Sequence, residues 1–114
     1  MSDCIFCDIA AHDLPATILR EDDEVLAIRD VNPQAPVHVL VMPRDHIESV
    51  VELTPAQDHL WGRLLHVAQS IAEDEAIDET GFRLVVNTGS DGGQTVDHLH
   101  MHLLGGRHMT WPPG

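Results

Sequence analysis

The stretch that decides the fold is His98-Leu99-His100-Met101-His102-Leu103-Leu104, near the end of a chain of 114 residues. Successive side chains of a β-strand point to opposite faces. A strand over about residues 97–104 therefore places three histidines on one face and leucine and methionine on the other. Three neighbouring imidazoles are costly on a partly buried face, so the pattern predicts a site that uses them.

The residues alone leave three interpretations of this histidine row open. The histidines could be solvated on a surface strand, they could form a three-histidine catalytic zinc site, or one imidazole could attack phosphorus while its neighbours assist. The loop before the strand favours phosphorus chemistry. Gly92 and Gly93 allow a close approach of the backbone and positive φ, so N–H groups can point at an anion. Asn87 and Thr95 add neutral hydrogen-bonding groups.

The remaining segments predict an α+β fold with mostly antiparallel strands and a single domain over residues 1–114. Thr54-Pro55-Ala56-Gln57 has the residues of a capping box with proline at the first helical position, and it begins a long helix. The apolar stripe of that helix is Leu60, Leu64, Val67 and Ile71. A short helix is predicted over residues 4–11, and strands over 17–20, 25–30, 37–42 and 82–86.

Charge and composition exclude several classes of function. The net charge is -13, from nineteen acidic residues and six basic ones. Nucleic-acid binding needs basic groups against phosphates, so neither a nucleic acid nor an anionic membrane is an expected partner. No apolar run reaches the roughly 20 residues of a membrane span, and the N-terminal sequence does not resemble a signal peptide. We expect a cytoplasmic protein.

The only cysteines, Cys4 and Cys7, have the spacing of a metal half-site or a redox pair. A disulfide framework is not expected in a reducing compartment. Cys-x-x-Cys by itself leaves both interpretations open, because a full zinc site needs two further ligands.

The order of these motifs resembles the histidine-triad (HIT) family, whose motif is His-φ-His-φ-His-φ-φ with φ apolar. The resemblance covers nearly the whole chain and points to the Hint-like branch. It implies a HIT-like fold with a five-stranded sheet, one long and one short helix, and a sheet that continues across a homodimer. The matching segments outside the triad are Phe6, Arg29-Asp30, Pro33-Gln34-Ala35-Pro36, Gly92-Gly93-Gln94, Leu104-Gly105-Gly106-Arg107 and Trp111-Pro112-Pro113-Gly114.

The resemblance also implies an activity, the hydrolysis of purine nucleoside phosphoramidates such as AMP joined to an amine. His100 is then the nucleophile and carries a nucleotidyl intermediate, His102 binds the phosphate and assists the leaving group, and His38 completes the network. No metal is required for catalysis. The implied substrate-binding residues are Asp30 for the ribose, Ile5, Phe6, Ile9, Ile28 and Val31 for the base, Asn87, Gly93 and Thr95 for the phosphate, and Trp111 for the partner subunit's leaving-group side.

Three positions depart from the pattern of the branch. Ile28 replaces a common aromatic residue, Thr95 stands where serine is frequent, and Asp97 stands where an aromatic residue is frequent. Weaker stacking on the base is the expected consequence at Ile28, whereas Thr95 keeps the hydroxyl.

HIT family members with an N-terminal Cys-x-x-Cys often bind zinc there. The resemblance to them implies a structural zinc ion on Cys4, Cys7, His46 and His98. The alternative is a pair of free thiols and a histidine that only supports His100. Two other functions also remain: a dinucleoside polyphosphate hydrolase of a sister branch, and a nucleotide-binding interaction module with little turnover.

Overall fold

The fold is an antiparallel sheet with one helix on each face. A computed structural model describes residues 2–114. The sheet has five strands in the order β1-β2-β3-β5-β4, and every neighbouring pair is antiparallel. This architecture agrees with the α+β prediction. The elements are α1 (Ile5–Ala10), β1 (Ile18–Glu21), β2 (Val25–Arg29), β3 (Val37–Pro43), α2 (Asp58–Asp74), β4 (Phe82–Val85) and β5 (Met101–Gly105).

The long helix α2 packs on one face of the sheet through Leu64, Ala68, Ile71 and Ala72. The strand residues that meet it alternate along β2, β3 and β5, as in any pleated strand. On the opposite face, α1 covers the strands with Phe6, Ile9 and Ala10. The central strand β3 is thus buried on both sides, and its residues divide between the two cores: Val39 and Val41 face α2, whereas Leu40 and Met42 face α1.

The predicted helices are confirmed, with small differences at their ends. Cys4 is the N-cap of α1, and its sulfur lies 3.4 Å from the amide nitrogen of Cys7. The chain enters α2 through a 3-10 turn over Pro55–Gln57, so the α-helix proper begins at Asp58. The amide of Thr54 donates to Oε1 of Gln57 at 3.0 Å, a bond typical of a capping box.

The last strand is shorter than predicted. We predicted a strand from about Asp97 to Leu104, but β5 covers Met101–Gly105. Val41 pairs with Met101, so an extended ladder would place Leu99 opposite Pro43. Proline has no N–H to donate, and the ladder ends there. Instead, the amide of Leu99 donates to the carbonyl of Ile47 at 2.6 Å.

The predicted division of faces nevertheless extends beyond the strand. Leu99, Met101 and Leu103 are at most 2% exposed and belong to the α2-side core. The rings of His98 and His100 contact Phe6 of α1 on the opposite side. No helix within residues 2–114 is long and apolar enough to cross a membrane.

Candidate active site

A cleft of about 470 Å³ opens on the α1 side of the sheet. It contains most of the residues that we expected around a nucleoside. The predicted residues that line it are Ile5, Phe6, Ile9, Ile28, Asp30, Val31, Thr95, His100 and His102.

The hydrogen bond of His100 defines which ring nitrogen is free. Its Nδ1 lies 2.7 Å from the carbonyl oxygen of His98. A carbonyl oxygen only accepts, so Nδ1 carries the proton and Nε2 holds the lone pair in the neutral ring. His100 is 5% exposed, and the edge-to-face ring of Phe6 lies 5.1 Å away between centroids. The site therefore holds an imidazole in the tautomer that a nucleophile at Nε2 requires.

A chain of hydrogen bonds sets the tautomers of the next two histidines. The amide N–H of Gln34 donates to Nδ1 of His38 at 3.0 Å, so the proton of neutral His38 is on Nε2. That nitrogen lies 2.9 Å from Nδ1 of His102 and donates to it. His102 then carries its own proton on Nε2. Because His102 lines the cleft, this N–H is a donor for a bound anion.

The surroundings keep these two histidines uncharged. Burial, the neighbouring His100 and then His38 lower the pKa of His102 to about 4, against a smaller opposing effect of Asp30. Burial also lowers the pKa of His38, which Asp30 partly offsets. Neutral rings preserve the donor and acceptor pattern described above, since a protonated imidazole has two donors and no acceptor.

Asp30 lies at the end of β2, where its carboxylate has two neighbours. Oδ1 accepts from the amide of Asn32 at 2.8 Å, and Oδ2 lies 3.4 Å from Nε2 of His38. The side chain is 18% exposed. It lines the cleft and remains available to hydroxyl groups of a ligand.

The glycine loop is folded upon itself. A Cβ at Gly92 would lie 2.3 Å from the carbonyl oxygen of Thr88, so the main chain at Gly92 packs closely on its own loop. Gly93 has φ +77°, as its position in the motif suggested, but its N–H donates to the carbonyl of Ser90 at 3.1 Å. Among residues 2–114, Gly93 and Asn87 do not line the cleft, and Trp111 is 82% exposed.

Several lining residues escaped the sequence analysis. Leu40 could have been found, because it shares a strand face with His38 and pairs with His102 across the sheet. Val96 follows Thr95 directly and carries no motif of its own. Residues 14–16 line the far wall from a loop, for which the sequence has no signal.

A second cluster joins the first triad histidine to the N-terminal cysteines. Nδ1 of His98 lies 3.3 Å from Sγ of Cys4 and 3.6 Å from Sγ of Cys7, and Nδ1 of His46 lies 3.3 Å from Sγ of Cys7. In tetrahedral zinc sites, bonds of about 2.3 Å to sulfur and 2.0 Å to nitrogen place these ligands about 3.5 Å apart. The four side chains therefore fit a zinc ion.

The chemistry of the donor atoms supports the same fit. Nε2 of His98 donates to the carbonyl of Pro43 at 2.8 Å, which leaves Nδ1 with the lone pair that a metal needs. Without an ion, burial and the neighbouring Cys4 raise the pKa of Cys7 to about 11. A cation is the usual means of holding such a pair as thiolates.

The geometry excludes the three-histidine zinc site among the described side chains. His98 bonds toward the cysteines, His100 bonds the main chain, and His102 bonds His38. The carboxylate of Asp30 and the rings of His38 and His102 form a second compact group. In this group, the 2.9 Å distance between Nε2 of His38 and Nδ1 of His102 is that of the hydrogen bond between the two rings. The other histidines, His12, His59, His66 and His108, are exposed, as predicted.

The HIT domain family matches residues 11–109, which is most of the chain. This chain belongs to the HIT domain family. A HIT family hydrolase of Legionella pneumophila superposes with a TM-score of 0.96 at 47% identity, covering 98% of this chain and 100% of that one.

Three relatives add names to the family assignment. An uncharacterised HIT-like protein of Synechococcus elongatus is 53% identical over 98% of this chain and 97% of its own length. A 14 kDa zinc-binding protein of Brassica juncea is 46% identical over 98% of this chain and all of its own. An adenylylsulfatase of Arabidopsis thaliana is 45% identical over 99% of this chain and 78% of its own. Among the similar solved structures, the Legionella protein is named a hydrolase, and a protein of Candida albicans is named a histidine triad nucleotide-binding protein.

Proposed function

We propose that this protein hydrolyses purine nucleoside phosphoramidates, such as AMP joined through nitrogen to an amine. The observation that carries the proposal is the pair of ring nitrogens in the cleft. Nε2 of His100 has a lone pair because Nδ1 donates to the carbonyl of His98. Next to it, Nε2–H of His102 is a donor because Nδ1 accepts from His38. A nucleophile next to a neutral donor suits attack on an anionic phosphoryl group.

The reaction would proceed in two steps at one phosphorus atom. The lone pair on His100 Nε2 forms a bond to phosphorus while the P–N bond to the amine breaks. The leaving nitrogen keeps that electron pair and takes up one proton from water, while Nε2–H of His102 donates a hydrogen bond to the phosphoryl group. Water then attacks phosphorus, the bond to His100 breaks, and a proton is released. The products are AMP and the free amine, and His100 is regenerated.

The cleft supports a nucleoside as the constant part of the substrate. Its apolar wall includes Ile5, Phe6, Ile9 and Ile28, which can pack on a purine, and Asp30 can accept hydrogen bonds from ribose hydroxyls. Ile28 has no aromatic ring to stack on the base. Asn87, Gly93 and Thr95 complete the proposed phosphate-binding residues, and of these Thr95 lines the cleft.

The leaving group needs a direct test, because an adenylylsulfatase is among the relatives. Both activities transfer an adenylyl group and differ only in what departs. The purified protein is incubated separately with an AMP-amine conjugate, adenylyl sulfate and a diadenosine polyphosphate, and AMP release is followed by chromatography. The proposal expects the highest kcat/KM for the AMP-amine conjugate. A preference for the polyphosphate would favour the sister branch, and binding without release would favour an interaction module.

The role of His100 is tested on the same substrate. His100→Ala should reduce turnover by several orders of magnitude, since it removes the nucleophile, and His100→Gly should regain part of the activity with added imidazole. His66→Ala is a matched control, because it removes an exposed histidine on α2. When the reaction of substrate with wild-type protein is trapped before the second step, the nucleotide should be found attached to His100. Near-normal turnover of His100→Ala would contradict the mechanism.

We infer that zinc at Cys4, Cys7, His46 and His98 has a structural role. Four protein ligands leave no open position for water, unlike a catalytic zinc site. Between the two cysteines of α1 lie Ile5 and Phe6, which line the cleft. An ion would thus connect this wall of the cleft to His98, whose carbonyl oxygen accepts a hydrogen bond from Nδ1 of His100.

We also propose a homodimer, formed where the sheet ends. β4 is an outer strand, and Phe82 on it and Leu65 on α2 are 37% and 44% exposed. Pairing of two β4 strands would continue the sheet and cover these side chains. Trp111, which is 82% exposed in the single chain, would reach the leaving-group side of the partner's cleft.

A further inference from the structure

The turn after β5 contacts the loop that holds the histidine chain. Nε of Arg107 donates to the carbonyl oxygen of Gln34 at 2.9 Å. Next to it, Gly106 has φ +86°, and a Cβ there would lie 2.9 Å from Cβ of Pro36. The turn therefore packs closely on the loop over residues 32–36, and Arg107 bonds the carbonyl of the residue whose own N–H, in the preceding peptide unit, donates to His38.

The amide N–H of Gln34 is the first donor in the chain of hydrogen bonds that sets the tautomers of His38 and His102. Its N–H donates to Nδ1 of His38 at 3.0 Å, and Nε2 of His38 donates to Nδ1 of His102 at 2.9 Å. If the amide of Gln34 moves away, Nδ1 of His38 loses its donor, and only the carboxylate of Asp30, 3.4 Å from Nε2, still favours the proton on Nε2. With the proton on Nδ1 of His38, Nε2 becomes an acceptor facing Nδ1 of His102. His102 would then protonate at Nδ1 and lose its N–H toward the cleft.

We propose that Arg107 is a positioning residue, which fixes the main chain at Gln34 through its carbonyl so that His38 and His102 keep their Nε2–H tautomers. The inference rests on the proposed function for its kinetic consequence, but not for its structural one. Arg107 itself is exposed and lies outside the cleft among the described residues. Its planar guanidinium is suited to fixing a carbonyl in one direction, whereas a flexible lysine holds it less well.

The primary experiment reads the tautomers directly. Long-range 1H–15N NMR spectra of the zinc-loaded protein are recorded at pH 7.5 for wild type and Arg107→Met. We expect Nε2–H for both His38 and His102 in wild type, and a mixture of tautomers at both rings in the variant. Arg20→Met is the matched control, because Arg20 also donates to a main-chain carbonyl, that of Leu19 at 2.9 Å, and its loss removes the same charge.

Kinetics on the AMP-amine conjugate provide the second readout. Arg107→Met should lower kcat about tenfold with KM changed less than about twofold, the order expected for one positioning hydrogen bond. Arg107→Lys should recover part of kcat, and Arg20→Met should match wild type. Gln34→Pro removes the donated N–H itself, so it should reproduce both the tautomer mixture and the loss of kcat if Arg107→Met does not fold.

Two results would overturn the inference. One is unchanged tautomers in Arg107→Met, whatever its rate. The other is a tautomer mixture with a normal kcat. If wild-type protein shows no turnover of the conjugate, the proposed function fails, while the NMR comparison still decides the role of Arg107.

Discussion

Protonation of His102 should make the protein less stable in mild acid. The pKa of this ring is about 4 in the folded chain and 6.5 in an unconstrained histidine. Between these values the unfolded state binds more protons than the native state, so the free energy of unfolding rises with pH. The contribution of His102 is therefore complete above pH 6.5 and is lost as the pH falls toward 4.

The magnitude follows from the size of that interval. One pKa unit corresponds to about 1.4 kcal/mol, so a shift of this size has a ceiling of about 3 kcal/mol. His102 is only partly buried, and water around the ring reduces the difference. We expect a loss of about 1 to 2 kcal/mol between pH 7 and pH 4 from this residue alone. The groups that face the ring are His38, His100 and Asp30.

Urea denaturation of wild type and His102→Gln at pH 7, 5.5 and 4 measures this contribution. Glutamine is polar and does not titrate in this range, so carboxylates that weaken the fold in acid contribute equally to both proteins and cancel. Both proteins are prepared without metal, because acid also releases zinc from thiolates. The free energy of unfolding should fall further in wild type than in the variant. Equal losses at all three pH values would refute the reasoning.

Three further outcomes are expected from the zinc site, the outer strand and two glycines. Metal analysis of protein purified without chelator should find about one zinc per chain, lost in both Cys4→Ser and Cys7→Ser with a lower Tm; metal-free wild type of full stability would contradict the site. Phe82→Lys should convert a dimer into monomers in sedimentation at micromolar concentration, whereas a monomeric wild type would disprove the dimer. Gly92→Ala should destabilise the fold by several kcal/mol in urea denaturation because its Cβ would overlap the Thr88 carbonyl, whereas Gly62→Ala, with nothing within 4 Å, should stabilise α2 by up to about 1 kcal/mol.

Much of the fold could be predicted because it follows from local patterns. The 3.6-residue stripe of Leu64, Val67 and Ile71 identified α2, and the strands predicted over residues 17–20 and 25–30 correspond to β1 and β2. Alternation assigned Leu99 and Met101 to the core even beyond the end of β5. Where β5 begins could not be predicted, because that depends on which residue of β3 lies opposite.

The candidate site was only partly predictable, for a similar reason. The residues lining the cleft on α1 and β2 were implied by the resemblance to the HIT family, whereas the two histidines in it belong to the histidine motif itself. The loop of residues 89–94 was expected to offer N–H groups to an anion, yet the N–H of Gly93 bonds Ser90. Whether glycines approach a ligand or their own loop is a matter of tertiary packing.

By itself the sequence determined which side chains share a face, because strand and helix periodicity are properties of the local backbone. It also determined the residue types available for chemistry. Only the tertiary structure decided which nitrogen of each imidazole is free, because that depends on distant main-chain groups. The amide of Gln34 determines it for His38, and the carbonyl of Pro43 for His98. The cysteines lie more than 90 residues from His98 in the chain, so only folding brings them together.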